Sequence, residues 1–236
     1  LLFKNIIYFI QCESHAKLRH QSYHAHAQNT AHCNQFVNVQ TKGHYESCQL
    51  VTQGASQNHH HQVHLDGSEA TSQIHTLSFA DQATKHQFDC SMIHHANASV
   101  SQQHFRHLIS QLAQTATNST TVIKKQTQAT QSTQSIDSKL LSPRAQTHPN
   151  PTLIVETPEV AQCQHAATTG KLDQDMLFYL NARGLSEKEA INLLLNQYVM
   201  HLMHTHCHPN ALKTWQQPIK QIIDKTMVIK YGSRHN

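Results

Sequence analysis

Glycine is scarce in this chain, with six residues in 236, and so are proline (six), aromatics (6%) and charged side chains (14%). Few glycines leave few places for a phosphate-cradling loop, and neither G-x-S-x-G nor a paired-carboxylate motif occurs, so no enzyme constellation emerges. No apolar run is long enough to span a bilayer. The opening LLFKNIIYFIQ is short, contains Lys4, and has neither a basic lead nor a small-residue cleavage site, which argues against a signal peptide. The formal charge of +4 comes from scattered Lys and Arg, without the basic stripe of a nucleic-acid binder. Cys12, Cys33, Cys48, Cys90, Cys163 and Cys207 lie far apart with no C-x-x-C, so reduced thiols in a cytoplasm are expected. Lacking an initiator Met, the chain reads as starting inside a longer protein.

What fills the chain instead is Gln, Asn, Ser, Thr and 23 histidines, with a mean hydropathy of −0.54. Residues 11–35 show no clear period, so 1–35 reads as a loosely structured lead-in, with His24, His26, His32 and Cys33 as possible metal ligands or simply a solvated polar segment. From Phe36 the pattern turns strand-like: FVNVQ, CQLVTQ, HQVHL, SQIHTLSF, KHQFDCSMIHH, TTVIKKQTQ, IDSKLLS and PTLIVET, separated by short turns such as Gln53-Gly54 and Asp66-Gly67. Such a series fits a sandwich, a barrel or a solenoid, and pattern alone does not separate them. Ser99 to Gln114 places Phe105, Leu108, Ile109 and Leu112 at helical spacing, yet could equally be strand.

After Gly170 the reading is helical. Asp173 is an N-cap for a helix with Met176, Leu177 and Leu180 inward, and Gly184 ends it. Ser186 and Glu189 form a capping box for a second helix bearing a stripe of Ile191, Leu194, Leu195, Tyr198 and Leu202. A third opens at Pro209-Asn210, with Leu212, Trp215, Ile219 and Ile222 on one side, and Pro218 should weaken or kink it. The expected organisation is thus a lead-in at 1–35, a β core at 36–170 and a helical region at 171–236.

The stretch QCQHAATTGKLDQDMLFYLNARGLSEKEAINLLL, Gln162 to Leu195, resembles the SufB/SufD family of iron–sulfur cluster assembly scaffolds of the SUF system: a His followed by Ala-Thr, a polar turn, then LFYL and an Arg-Gly pair. SKLLSPRAQTHPNPTLIVE and LDGSEATSQIHTLSFADQATKHQFDCSMIHHANAS resemble earlier coils of the same family. The resemblance implies a right-handed parallel β-helix followed by a small α-helical region, and a non-catalytic subunit that pairs with a SufB-like partner and docks the SufC ATPase. Ala145 stands where the SufB-type pattern has a cysteine, and the motif His lacks the flanking Glu, which makes the chain SufD-like.

Carried over to these residues, the resemblance implies that His165, with Cys163 beside it, faces a nascent iron–sulfur cluster or iron shared with the partner. The stripes Ile191, Leu194, Leu195, Tyr198, Leu202, Leu212, Trp215 and Ile219 would carry the ATPase contact. The alternatives are that His165 is an ordinary edge-strand histidine, that the chain is a histidine-rich metal buffer using His59-His60-His61 and the cluster His201, His204, His206, Cys207 and His208, or that it is a truncated, non-functional SufD-like fragment.

Overall fold

The structure is a computed structural model and describes residues 3–25, 30–52 and 56–232, with the backbone alone at 3 and 226–232. Twelve strands alternate between two six-stranded sheets, ordered β1-β3-β5-β7-β9-β11 and β12-β10-β8-β6-β4-β2. The strands are β1 (Phe3–Cys12), β2 (Lys17–Ala25), β3 (Thr30–Val39), β4 (His44–Thr52), β5 (Ser56–Leu65), β6 (Thr71–Ala80), β7 (Lys85–His94), β8 (Val100–Ile109), β9 (Gln114–Ile123), β10 (Thr130–Leu140), β11 (Gln146–Val155) and β12 (Val160–Gly170). Every pairing is parallel and joins a strand to the one a full coil away, as in Thr71↔Val100 and Gln131↔Val100. That is a parallel β-solenoid of two-strand coils, and the choice among sandwich, barrel and solenoid falls to the last.

Two stretches differ from the sequence reading. Residues 1–35 hold β1, β2 and the start of β3 rather than a loose lead-in. In β2 the side chains that alternate toward the interior are Leu18, His20, Ser22 and His24, so a true two-residue period is invisible to hydropathy. The segment from Ser99 to Gln114 is β8, a tight turn and the start of β9, not a helix. Phe105 and Ile109 are four apart, a spacing that puts them on one side of either element; Leu108 faces the opposite way, onto the helices. His26 and the Gln53-Gly54 turn lie outside the described residues.

The coil corners recur as tight turns. His15, Lys42, Glu69, Ala98 and Ala129 all have positive φ between 54° and 63°. Each donates its backbone N–H to a carbonyl of the next coil, in turn Thr41, Ser68, Asn97, Gln128 and Glu159, at 2.8–3.0 Å. Gly67 is the corner residue that nothing else can replace, since a Cβ there would lie 1.9 Å from the Thr41 nitrogen.

The lumen changes character along its length. In the early coils an apolar cluster of Val37, Val39, Tyr45, Val51, Val63, Leu65, Ile74, Phe88, Met92 and Phe105 runs beside buried Gln35, Gln49, His59 and His61. Rings stack through it, His59 on Phe88 at 5.3 Å and Phe88 on His107 at 5.2 Å. Further along it becomes a hydrogen-bonded polar column. His94 is held by Ser99 and Ser101, both at 2.8 Å; Ser101 donates to Ser132 at 3.0 Å; Gln103 and Gln134 both donate to Thr121, at 3.0 and 2.9 Å. Directional bonds of this kind specify which coil stacks on which.

The outer face of the β12-to-β2 sheet is covered by three helices: α1 (Gln174–Ala182), α2 (Glu187–His206) and α3 (Pro209–Gly232). Asp173 caps α1 by accepting from the N–H groups of Asp175 and Met176, and Gly184 follows with φ +94°. The capping box of Ser186 and Glu189 starts α2 as expected. Helix α3 continues through Pro218 rather than ending there. Cys48 on β4 and Cys207 after α2 are joined by a disulfide across 159 residues, so the expectation of reduced thiols fails for this pair. The outward alternation of β4 and the end of α2 bring them together, which spacing in sequence does not reveal. Among the described residues no helix is long and apolar enough to cross a membrane.

Phe105→Ala should remove about 3–5 kcal/mol of stability, measured by urea unfolding, because the emptied lumen cannot collapse around fixed coils. Acidification should act on the same core. Burial pushes His61 and His107 down to about 3 and His86 and His94 down to about 4. Their folded values lie below the unfolded value of about 6.5, so the unfolded chain binds more protons in between. Stability therefore holds above about pH 6.5 and falls by roughly 1.4 kcal/mol per pH unit for each histidine as pH drops toward 4. Denaturant midpoints at pH 7 and pH 5 measure it.

Candidate functional site

The solenoid ends on β11 and β12, and no further coil of the described chain stacks on them. In register, Ser132, Gln134, Ile136 and Ser138 of β10, all lumen-facing and buried, stand beside Cys163, His165, Ala167 and Thr169 of β12. These four residues accordingly face the open mouth. Cys163 is half-buried and free, its thiol pushed up by burial, and His165 is exposed. The two share one side of one strand, as the i, i+2 spacing requires. Across the mouth, β11 presents Thr147, Pro149, Pro151, Leu153 and Val155 in register with buried Thr115, Thr117, Ser119, Thr121 and Ile123.

The two free edges differ. Gln146 and Glu156 donate their N–H groups back to β9, so the alternate residues, including Pro149 and Pro151, direct theirs away from it. Proline at those positions leaves the β9 ladder intact while deleting two donors from the outer edge of β11. β12 carries no proline, and its outer edge presents the backbone of Cys163, His165, Ala167 and Thr169. One edge is blunted against strand addition and the other is open to it.

The helical stripes are placed differently from the sequence reading. Ile191, Leu195, Leu202, Trp215 and Ile219 are 1–3% exposed, and Leu194, Tyr198 and Leu212 are half-buried beside them, all packed with Leu50, Leu77, Phe79 and Leu108 of the solenoid. They form this chain's own core, so they are spent before a partner arrives. Tyr198 is pinned further: its hydroxyl donates to the Asp137 carbonyl at 2.8 Å, and the Arg106 guanidinium lies 5.0 Å over its ring. What the helices leave exposed is Phe178 (76%), Tyr179 (52%), Leu193 (48%) and Met176 (43%). Met176 thus faces outward, with Leu177 taking the buried place.

The histidine clusters separate as well. On β5, His59 and His61 point into the lumen and His60 points out, so strand alternation keeps the three apart. At the end of α2, His201 and His204 are exposed, Cys207 is in the disulfide, and the His208 ring accepts from the Asn210 N–H at 3.3 Å. His206 turns back onto the solenoid, where its ring lies 4.3 Å from that of His75 and 4.8 Å from that of His104. Among the described residues two other groups bring such ligands together, His24, Cys33 and His59 in the lumen and His64, Asp66 and His95 at a corner. His75 and His104 escaped the sequence reading: they are one coil apart and Cys48 lies one coil earlier, but the coils differ in length, so no fixed interval links the three.

Two parallel sheets wound into a solenoid with a helical flank define the class of this protein as a parallel β-solenoid. The chain matches the family model described as SUF system FeS cluster assembly, SufBD core domain, over residues 2–198. It belongs to the SufBD core family. It is 24% identical to Protein ABCI7, chloroplastic, of Arabidopsis thaliana over 82% of this chain and 41% of that protein. Iron-sulfur cluster assembly SufBD family proteins match shorter stretches. One from Synechocystis is 27% identical over 45% of this chain and 23% of its own, and one from Pyrococcus horikoshii is 40% identical over 28% and 14%. The chain thus spans about two-fifths or less of the length of these relatives.

Proposed function

We propose that this chain is a SufD-like scaffold subunit of SUF iron–sulfur cluster assembly, pairing with a SufB-like subunit through the open end of the solenoid. The observation that carries the reading is the contrast between the proline-blunted β11 edge and the free β12 edge, whose residues face the mouth. A partner strand added to β12 would complete its ladder and bring the partner's end over His165 and Cys163. Neutral imidazole is a fitting ligand for iron, and His165 would offer it to a nascent cluster that is cargo rather than a resident group. Ala145 supports the SufD-like assignment. It is buried in a corner stack with Ala80, Ile109 and Ala113, and its methyl group can neither accept sulfur nor bind iron.

The subunit is proposed to be non-catalytic, with ATP hydrolysis in a SufC-like partner and the whole complex in the cytoplasm. Since the stripe first assigned to that partner is buried, the contact is reassigned to the large side chains that the helices leave exposed, chiefly Phe178 and Tyr179 of α1. Large aromatics exposed together on a capped helix are of the kind that anchor interfaces.

Ala167→Pro should abolish co-purification with the SufB-like subunit while leaving the monomer folded, because the donor it deletes points to the free edge. His165→Ala should leave pairing intact and lower the iron content of the assembled complex by about tenfold; unchanged iron removes the site assignment. Phe178→Ala should weaken SufC-like capture in a titration by roughly 2 kcal/mol. Retention of full affinity would return the contact to another surface.

A further inference from the structure

Consecutive coils stack the residues that share a register position. On the outer face, Cys48, His75 and His104 form one such column on β4, β6 and β8. The end of α2 lies across it and adds His206, and the disulfide from Cys48 to Cys207 ties the same junction. The ring centroids of His75 and His104 are 5.3 Å apart, and one nitrogen from each of the three imidazoles lies within 4.8 Å of the others.

His75 is 0% exposed, and neither of its ring nitrogens has a hydrogen-bond partner. A buried imidazole with both in-plane nitrogens unpaired is a rare arrangement and calls for an explanation. Ring stacking accounts for the contact of the faces but leaves the in-plane lone pair unused. A cation uses that lone pair. The χ2 torsion of histidine is broad, so modest rotations aim a nitrogen from each ring at a common point.

The surroundings keep the three imidazoles unprotonated, with their lone pairs free to act as ligands. Burial first, then the neighbouring His206 and His104, hold His75 well below its usual range, and burial pushes His104 down to about 4. His206 is also lowered, by burial and then by Arg106 and His201, with Glu46 acting in the opposite sense. Glu46 is itself engaged by Arg19 at 2.9 Å. All three imidazoles are therefore in the neutral, ligating form at pH 7.

We infer that His75, His104 and His206 form a binding site for a borderline divalent first-row cation of the Zn2+ type, which clasps the solenoid to the end of α2. Three imidazoles with the disulfide intact leave the fourth position of a tetrahedral ion to water. This site starts two strands from β12, on the outer face of the sheet rather than the lumen side that His165 shares, and it stands independently of the role proposed for His165.

Titration of the whole chain with Zn2+, followed by calorimetry, should give one equivalent bound and a raised unfolding temperature. His104→Gln and His206→Gln should each weaken binding at least tenfold with the circular dichroism unchanged. The pair Cys48→Ser with Cys207→Ser should still bind, and so should His165→Ala. Co2+ should give the intense visible bands of a four-coordinate site in the native chain, a reading that does not depend on any variant folding. Binding unaffected by both histidine variants, binding lost only in the cysteine pair, or a weak six-coordinate Co2+ spectrum would overturn the assignment.

Discussion

Parallel stacking in register is the constraint on which everything else in this molecule depends. Each strand hydrogen-bonds only to strands one coil away, so each side chain has as its neighbours the residues at the same place in the coils before and after. Columns therefore replace the usual mixed packing of a globular core. His59 and Phe88 stack because of it, as do His75 and His104 on the outer face of the other sheet, while His107 meets Phe88 from across the lumen. The corners obey the same rule, with left-handed residues donating in sequence from His15 to Ala129.

The same constraint explains why so polar a chain folds with so few aromatics. In the later coils the lumen is lined by Ser101, Gln103, Thr121, Ser132 and Gln134, whose hydrogen bonds run both along and across the column. Such contacts are directional, so they define register where apolar contacts would permit slippage. A solenoid also has ends. One edge of the last coil is closed chemically by Pro149 and Pro151 and the other is left open, so at this end another strand can be added on β12 and not on β11.

Much of this was legible in the residues. Asp173, Gly184, Ser186 and Glu189 act through local backbone groups, and they cap α1 and α2 where the sequence places them. The strands from Phe36 onward were visible because Val, Ile and Leu alternate there. β2 was not, because His and Ser occupy its inner positions, and β8 was ambiguous because Phe105 and Ile109 satisfy two periods at once. The apolar stripe of α2 was read correctly as a stripe; periodicity says that a face is buried but not against what, and here it is Leu50, Leu77 and Leu108 of the same chain.

By itself the sequence determined the alternation of the strands, the caps, the shared side of Cys163 and His165, and the kinship with SufBD scaffolds carried by Gln162 to Leu195. Those properties are local, set within a few residues by the two-residue and 3.6-residue periods. Only the tertiary structure decided which histidines meet. His59, His60 and His61 are adjacent in sequence and face different ways, whereas His75, His104 and His206 are distant and converge, because coil length and the return of α2 across the sheet set their separation. The stack likewise decided that Pro149 and Pro151 fall on the free edge, a consequence of strand parity that no composition records.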